Sequence, residues 1–149
     1  MIYSGFSGIG KTSVAKRNNK YIDLESSLFR INSVHIPGWE VIYCNIVEYL
    51  SVQGFDLFIS AHMQVRAELH KRNISFVAIT PTLSLKEQWI VRLKERYGKD
   101  PTFSNGLALK SAEEYYDIMV NSLINEPNKI ILDSIDYDLE EVIKNHNNM

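Results

Sequence analysis

The sequence predicts an α/β fold: a five-stranded parallel sheet with helices on both faces. Three observations predict it. Short apolar runs alternate with stretches of helical periodicity along the chain, the pattern of parallel strands joined by crossover helices. The 149 residues suit one domain with a sizeable core, and 45% hydrophobic with 23% charged content is ordinary for a globular chain. The first apolar run also leads straight into a glycine-rich turn and then a helix, a strand–loop–helix unit.

That turn is Gly-Phe-Ser-Gly-Ile-Gly-Lys-Thr at residues 5–12. It fits the phosphate-binding pattern GxxxxGK[ST], with Gly5, Gly10, Lys11 and Thr12 in the required places. A phosphate chain needs many donors at close range. Gly8 and Gly10 allow backbone N–H groups to turn inward with no Cβ in the way. Ser7, Gly8, Ile9, Gly10, Lys11, Thr12 and Ser13 are therefore the candidates for cradling phosphates. Lys11 is placed to bridge the β- and γ-phosphates, and Thr12 to hold Mg²⁺ through its hydroxyl. The helix opening at Lys11 adds its positive dipole end. The strand Ile2-Tyr3 before the turn and the helical run Ser13-Val14-Ala15-Lys16-Arg17 after it supply the expected context. A glycine-rich turn that binds nothing is the other reading.

The remaining elements follow in order. The first helix runs to about Asn18, where Asn18-Asn19 stops it. Lys20-Tyr21-Ile22 is a short strand ending at Asp23. The segment Asp23-Leu24-Glu25-Ser26-Ser27 then places two carboxylates and two hydroxyls at a strand's C-terminal end, the edge where α/β sheets bind ligands. Asp23 is a candidate metal or substrate group, or else a helix cap. Residues 30–39 contain Asn32, Ser33, Pro37 and Gly38 and read as a loop able to cover a substrate. A helix from Trp39 to about Gln53 carries Val41, Ile42, Ile46, Val47 and Leu50 at helical spacing, and Gly54 ends it. Trp39 and Tyr43 suit either a base-stacking platform or the core.

Phe55 to Ser60 reads as a buried strand, followed by a helix reaching about Arg72. His62 and Arg66, four apart, share a face. Arg66 suits an anionic substrate through its planar fork, or is an ordinary surface arginine. His62 either donates to a substrate or caps the helix. Ile74 to Ile79 is the fourth strand, and a helix from about Ser84 to Tyr97 carries Arg92 and Arg96. Those arginines suit closure over a transferred phosphoryl group, with solvated charges as the alternative. Residues 98–109 read as loop-rich and mobile, so residues 84–110 form a candidate lid. Ser111 and Glu114 have capping-box spacing for a further helix ending before Pro127. Lys129 to Leu132 is the fifth strand. Ser134 to Tyr137 turns into a last helix from about Asp138 to Lys144, and the tail beyond is expected to fray.

Net charge is −2, and no stripe of interleaved basic and aromatic residues appears, so no stable nucleic-acid partner is expected. The charge is uneven. Residues 1–99 hold 13 Lys and Arg against 8 Asp and Glu, and residues 100–149 hold 3 against 10. The basic part contains the glycine-rich turn, as a polyphosphate site would want. Cys44 is the single cysteine and reads as a core filler. No apolar run approaches the roughly 20 residues of a membrane span, and no leader pattern precedes the first strand. The expectation is a reducing, cytoplasmic setting.

Taken together, the chain resembles the small-molecule kinases of the P-loop class, including nucleoside monophosphate kinases and shikimate-kinase-like enzymes. It is also similar to short kinase-like proteins encoded by bacteriophages, which would place it in the host cytoplasm. The resemblance implies a three-layer P-loop NTPase fold with strand order 2-3-1-4-5, ATP and Mg²⁺ as cofactors, and a small-molecule phosphate acceptor. It also implies roles. Asp23 orients the metal or acceptor, Arg66 holds the acceptor phosphate, and Arg92 and Arg96 form a minimal lid. Ser134 to Tyr137, with Ser134 and Asp136 as contacts, lies against adenine. One departure stands out: the third strand ends Ile59-Ser60-Ala61-His62, without the carboxylate many P-loop proteins place there. The alternatives are a kinase of another metabolite or a polynucleotide 5′ end, and a non-catalytic nucleotide-dependent binding protein.

Overall fold

The computed structural model describes residues 1–149. Its strands are β1 (Ile2–Gly5), β2 (Tyr21–Asp23), β3 (Arg30–Ile31), β4 (Val34–His35), β5 (Asp56–Ile59), β6 (Val77–Pro81) and β7 (Lys129–Leu132). Its α-helices are α1 (Lys11–Arg17), α2 (Trp39–Val52), α3 (Met63–Lys71), α4 (Lys86–Lys99), α5 (Phe103–Ile124) and α6 (Leu139–Asn147). Five strands form a parallel sheet in the order β2-β5-β1-β6-β7, and β3 pairs with β4 as a separate antiparallel hairpin. No helix is long and apolar enough to cross a membrane. The chain folds into two compact units, residues 1–5 with 10–78 and residues 6–9 with 79–149.

In the first unit, β5 lies between β1 and β2, with Ile2 beside Leu57, Tyr3 beside Phe58 and Ile22 beside Leu57. Side chains alternate across a strand. Ile2, Leu57 and Ile59 therefore join one core with Trp39, Tyr43, Cys44 and Val47 of α2 and Val65 and Leu69 of α3. On the alternate positions Tyr21 stacks on Phe58 at 4.9 Å, and Tyr3 packs against Phe58 at 5.8 Å. Burial pushes the Cys44 thiol up to about 11, so it stays protonated as a core group. The buried face of α2 is the stripe Trp39, Tyr43, Cys44 and Val47, and Val41 and Ile42 are exposed. The larger aromatic side chains win the core-facing stripe from the β-branched ones.

Residues 30–39 are not the plain loop expected from their composition. A 3₁₀ turn at Ser26–Phe29 leads into the β3–β4 hairpin. Asn32 (φ 52°) and Ser33 (φ 69°) make its two-residue turn, both left-handed, as a type I′ connection requires. Arg30 Nη1 donates to Ser33 O at 2.8 Å across the turn.

In the second unit, the expected loop at 98–109 is instead the end of α4, three linking residues and the start of α5. Thr102 caps α5 by accepting from Asn105 N at 3.1 Å. Ser111 lies within the helix, so the expected cap there is displaced by nine residues. Gly106 explains the difference: a Cβ on it would sit 3.0 Å from Tyr97 Cε2, so its absence lets α5 close onto Tyr97 of α4. Tyr115 (φ −132°) kinks α5. Phe6 packs edge-on against Tyr116 at 5.5 Å and Trp89 at 6.4 Å, and Phe6 N donates to Ile79 O at 2.9 Å. The last helix runs to Asn147, past the expected end at Lys144. Asp138 caps it through Glu141 N, with Glu140 and Glu141 in its first turn and Lys144 and His146 in its last, matching the helix dipole.

The I′ turn yields a test. Ser33 pays a left-handed strain that glycine does not, so Ser33→Gly is expected to raise stability by about 0.5–1 kcal/mol after glycine's extra chain entropy is subtracted. Urea unfolding with an unchanged or lower midpoint would contradict the turn assignment.

Candidate functional site

The glycine-rich segment divides between the two units. In the first, β1 ends at Gly5 and α1 begins after Gly10, whose φ of 109° and ψ of 17° favour glycine. Val14 N donates to Gly10 O at 3.1 Å and starts the helix. Lys11 Nζ folds back to donate to Gly5 O at 2.6 Å, and Thr12 Oγ1 donates to Asp23 Oδ2 at 2.7 Å. The two residues expected to hold a metal are thus in direct contact. A hydroxyl and a carboxylate are hard oxygen donors suited to Mg²⁺, which commonly takes one or two protein oxygens and completes its shell from phosphate and water. No group of three or more His, Cys, Asp or Glu residues assembles as a metal cage. The residues present fit a Mg²⁺ ion that arrives with a polyphosphate.

Tyr43 braces this edge. Its hydroxyl donates to Leu24 O at 2.6 Å and accepts from Ser60 N at 2.9 Å, tying the residue after Asp23 to the end of β5. Ser4 Oγ donates to Ser60 O at 2.9 Å, tying β1 to the same point. Tyr43 is fully buried and Trp39 is covered by His35, stacked at 4.0 Å, so neither ring offers a platform for a base. Both are core residues.

His62 hydrogen-bonds Ser60 Oγ through Nδ1, and its own amide donates to the same oxygen at 3.0 Å. Its ring meets His35 and Trp39 edge-on, each at 5.2 Å. Burial, then the positive fields of His35, Arg30, Lys11 and Arg66, hold its pKa at about 4. His35 is lowered by burial and by Arg30. Arg66 is only 4% exposed and donates through Nε to Ala61 O at 3.1 Å, so it is not a surface arginine. The hairpin that brings Arg30 and His35 to His62 lies in the stretch read as loop. Its one sequence signal was the Asn32-Ser33 pair.

In the second unit, three successive carbonyls of the glycine-rich segment are each held by a side chain. Trp89 Nε1 donates to Ser7 O at 2.8 Å, Arg92 Nη1 to Gly8 O at 3.3 Å, and the Tyr137 hydroxyl to Ile9 O at 2.8 Å. Arg92 also donates to the Tyr137 hydroxyl at 3.0 Å and, through Nη2, to Ile135 O at 2.5 Å. Trp89 and Tyr137 lie parallel, 6.4 Å apart with 2° between their planes, and the guanidinium carbon stands 4.6 Å and 5.3 Å from their centroids. Arg96 sits one helical turn further along α4, half-buried. Ser134 Oγ accepts from Asp136 N at 3.2 Å, which closes the turn after β7. Sequence reasoning missed Trp89 and had Tyr137 only as the end of the turn expected against adenine, because neither belongs to a motif.

No known family matches the chain, and no curated protein matches it. Among solved structures it is similar to an uncharacterized protein from Eubacterium ventriosum ATCC 27560, with a TM-score of 0.50 and 12% identity over 99% of this chain and 97% of that one. At that identity the likeness shows the fold alone.

The depressed pKa of His62 sets a pH dependence. Above its ordinary value of 6.5 the ring is neutral in both folded and unfolded chains, and its contribution to stability is complete. As pH falls from 6.5 toward about 4, the unfolded chain takes up a proton that the folded one refuses, and stability is lost. The loss attributable to His62 is expected to reach up to about 3 kcal/mol. Unfolding midpoints measured between those limits should fall more steeply for the wild type than for His62→Gln; parallel profiles would refute the assignment.

Proposed function

We propose that the chain is a Mg²⁺- and ATP-dependent phosphotransferase on a P-loop NTPase plan, with a nucleoside or deoxynucleoside monophosphate as the first-choice acceptor. The observation that carries this reading is the contact of Thr12 with Asp23, beside a Lys11 folded onto Gly5, within a complete GxxxxGKT segment. Asp23 supplies from β2 the carboxylate that the end of β5 lacks. The strand order β2-β5-β1-β6-β7 supports the same plan.

The roles follow from the chemistry. Residues 7–13 offer backbone amides to the donor phosphates, and the Lys11 ammonium leaves Gly5 O to follow charge onto the transferred group. Thr12 and Asp23 would hold the Mg²⁺, which neutralises phosphate charge when bound. Arg66 grips the acceptor anion. Positioning and electrostatics dominate phosphoryl transfer, so no strong base is required. A cytoplasmic setting belongs with this reading.

The test is a panel of ribo- and deoxyribonucleoside monophosphates, shikimate and a 5′-hydroxyl oligonucleotide, each incubated with Mg²⁺-ATP while ADP release is followed. One acceptor should stimulate release strongly, and Lys11→Ala should cut that rate at least about 100-fold with the fold intact. A folded, fully active Lys11→Ala protein would overturn the mechanism. Tight ATP binding with no stimulation by any acceptor would leave a nucleotide-dependent binding protein instead.

A further inference from the structure

We infer that Trp89, Arg92 and Tyr137 are positioning residues that shape the phosphate loop from behind by holding the carbonyls of Ser7, Gly8 and Ile9. The inference rests on the reading that residues 5–12 bind phosphate, and it gives Arg92 a different task from closure over a phosphoryl group.

A trans peptide is planar, so the C=O of one residue and the N–H of the next point in opposite directions. A donor fixed on each of three successive carbonyls therefore fixes three successive amides, those of Gly8, Ile9 and Gly10, aimed away from the donors. Of the three, the Ile9 amide turns to Phe6 O at 3.4 Å and closes the turn; those of Gly8 and Gly10 are the two that can meet an anion, as in a backbone nest. The loop cannot satisfy the three carbonyls from within. Their donors come from side chains 82, 84 and 128 residues away.

Arg92 is the centre of the arrangement. Its guanidinium carbon stands beside the parallel Trp89 and Tyr137 rings, 4.6 Å and 5.3 Å from their centroids, so cation–π contact adds to the hydrogen bonds that hold it. Its bond to the Tyr137 oxygen leaves that hydroxyl to donate onward to Ile9 O. It also links the loop to Ile135 O, in the turn after β7. Gly8 completes the fit: at φ 89°, a Cβ there would lie 2.9 Å from Leu93 Cδ2 and 3.3 Å from Trp89 Nε1. A lysine at position 92 has no planar fork with which to hold Gly8 O, the Tyr137 oxygen and Ile135 O together.

The full-length chain and its Tyr137→Phe, Arg92→Lys and Trp89→Phe variants would be titrated with Mg²⁺-ATP and with tripolyphosphate, well below their unfolding midpoints. Tripolyphosphate reads the loop without a base. Tyr137→Phe and Arg92→Lys are each expected to weaken both ligands about tenfold, and Trp89→Phe to weaken them by a smaller factor. A merely structural role would lower the unfolding midpoint and leave the affinity of the folded chain unmoved, and that result would overturn the inference. So would an Arg92→Lys protein with a reduced kcat at unchanged KM for ATP, the signature of an arginine acting on the transition state. Tyr137→Phe keeps the ring and the fold, so it decides the matter if Arg92→Lys does not fold. A wild-type chain that binds neither ligand would overturn the phosphate reading itself, and this inference with it; intact wild-type binding with unaffected variants would overturn only the inference.

Discussion

A peptide plane cannot send its carbonyl and its amide to the same side. In a loop of a few residues this is a severe constraint, because amides collected on one side leave carbonyls collected on the other. Each buried carbonyl left without a donor costs roughly 1–3 kcal/mol. The second unit resolves this with one indole N–H, one guanidinium and one phenol, each on its own carbonyl. Much of that unit's architecture follows. Helix α4 must place Trp89 and Arg92 on one face. The segment before α6 must return Tyr137 to the same place, and Gly8 must lack a Cβ so that Leu93 and Trp89 can close in.

The first unit solves a different problem, that of holding strand ends in register where each ladder stops. Hydrogen bonding between β2 and β5 continues one step past Asp23, through Leu24 N to Phe58 O. Beyond it the Tyr43 hydroxyl takes over, accepting from Ser60 and donating to Leu24. Asp23 therefore sits on a backbone fixed on both sides, which keeps its carboxylate within reach of Thr12. The same edge keeps His62 neutral. Burial and the surrounding Arg30, Lys11 and Arg66 make its protonation costly, so the positive charge there stays with the lysine and the arginines.

What could be read from the sequence was what is decided locally. Gly10 adopts the left-handed backbone its place in the motif implies, and the helical periodicity of residues 39–53 became α2 with nearly the expected ends. The hairpin was illegible because two-residue strands carry no alternation to detect. The start of α5 was misread because Ser104-Asn105-Gly106 is a poor helix sequence. Packing of Gly106 onto Tyr97 overrides that propensity. Val41 and Ile42 fit the helical period but lost the core to Trp39 and Tyr43, a contest of volume that periodicity does not weigh. Tyr137 was invisible as a loop residue's partner, since 128 residues separate it from Ile9.

The choice of arginine at position 92 has an electrostatic side as well as a geometric one. Its partners are two carbonyls, a hydroxyl and two aromatic faces, and none of them is a carboxylate. Neutral partners satisfy the N–H groups and leave the unit charge uncompensated. A carboxylate would have satisfied the same donors while cancelling that charge and repelling an anion at the loop. Arginine also tolerates this placement better than lysine, because its charge is delocalised and more weakly hydrated, so contact with two aromatic rings costs less desolvation. A residue fixed from behind the loop can thus add to the positive field in front of it without leaving its place.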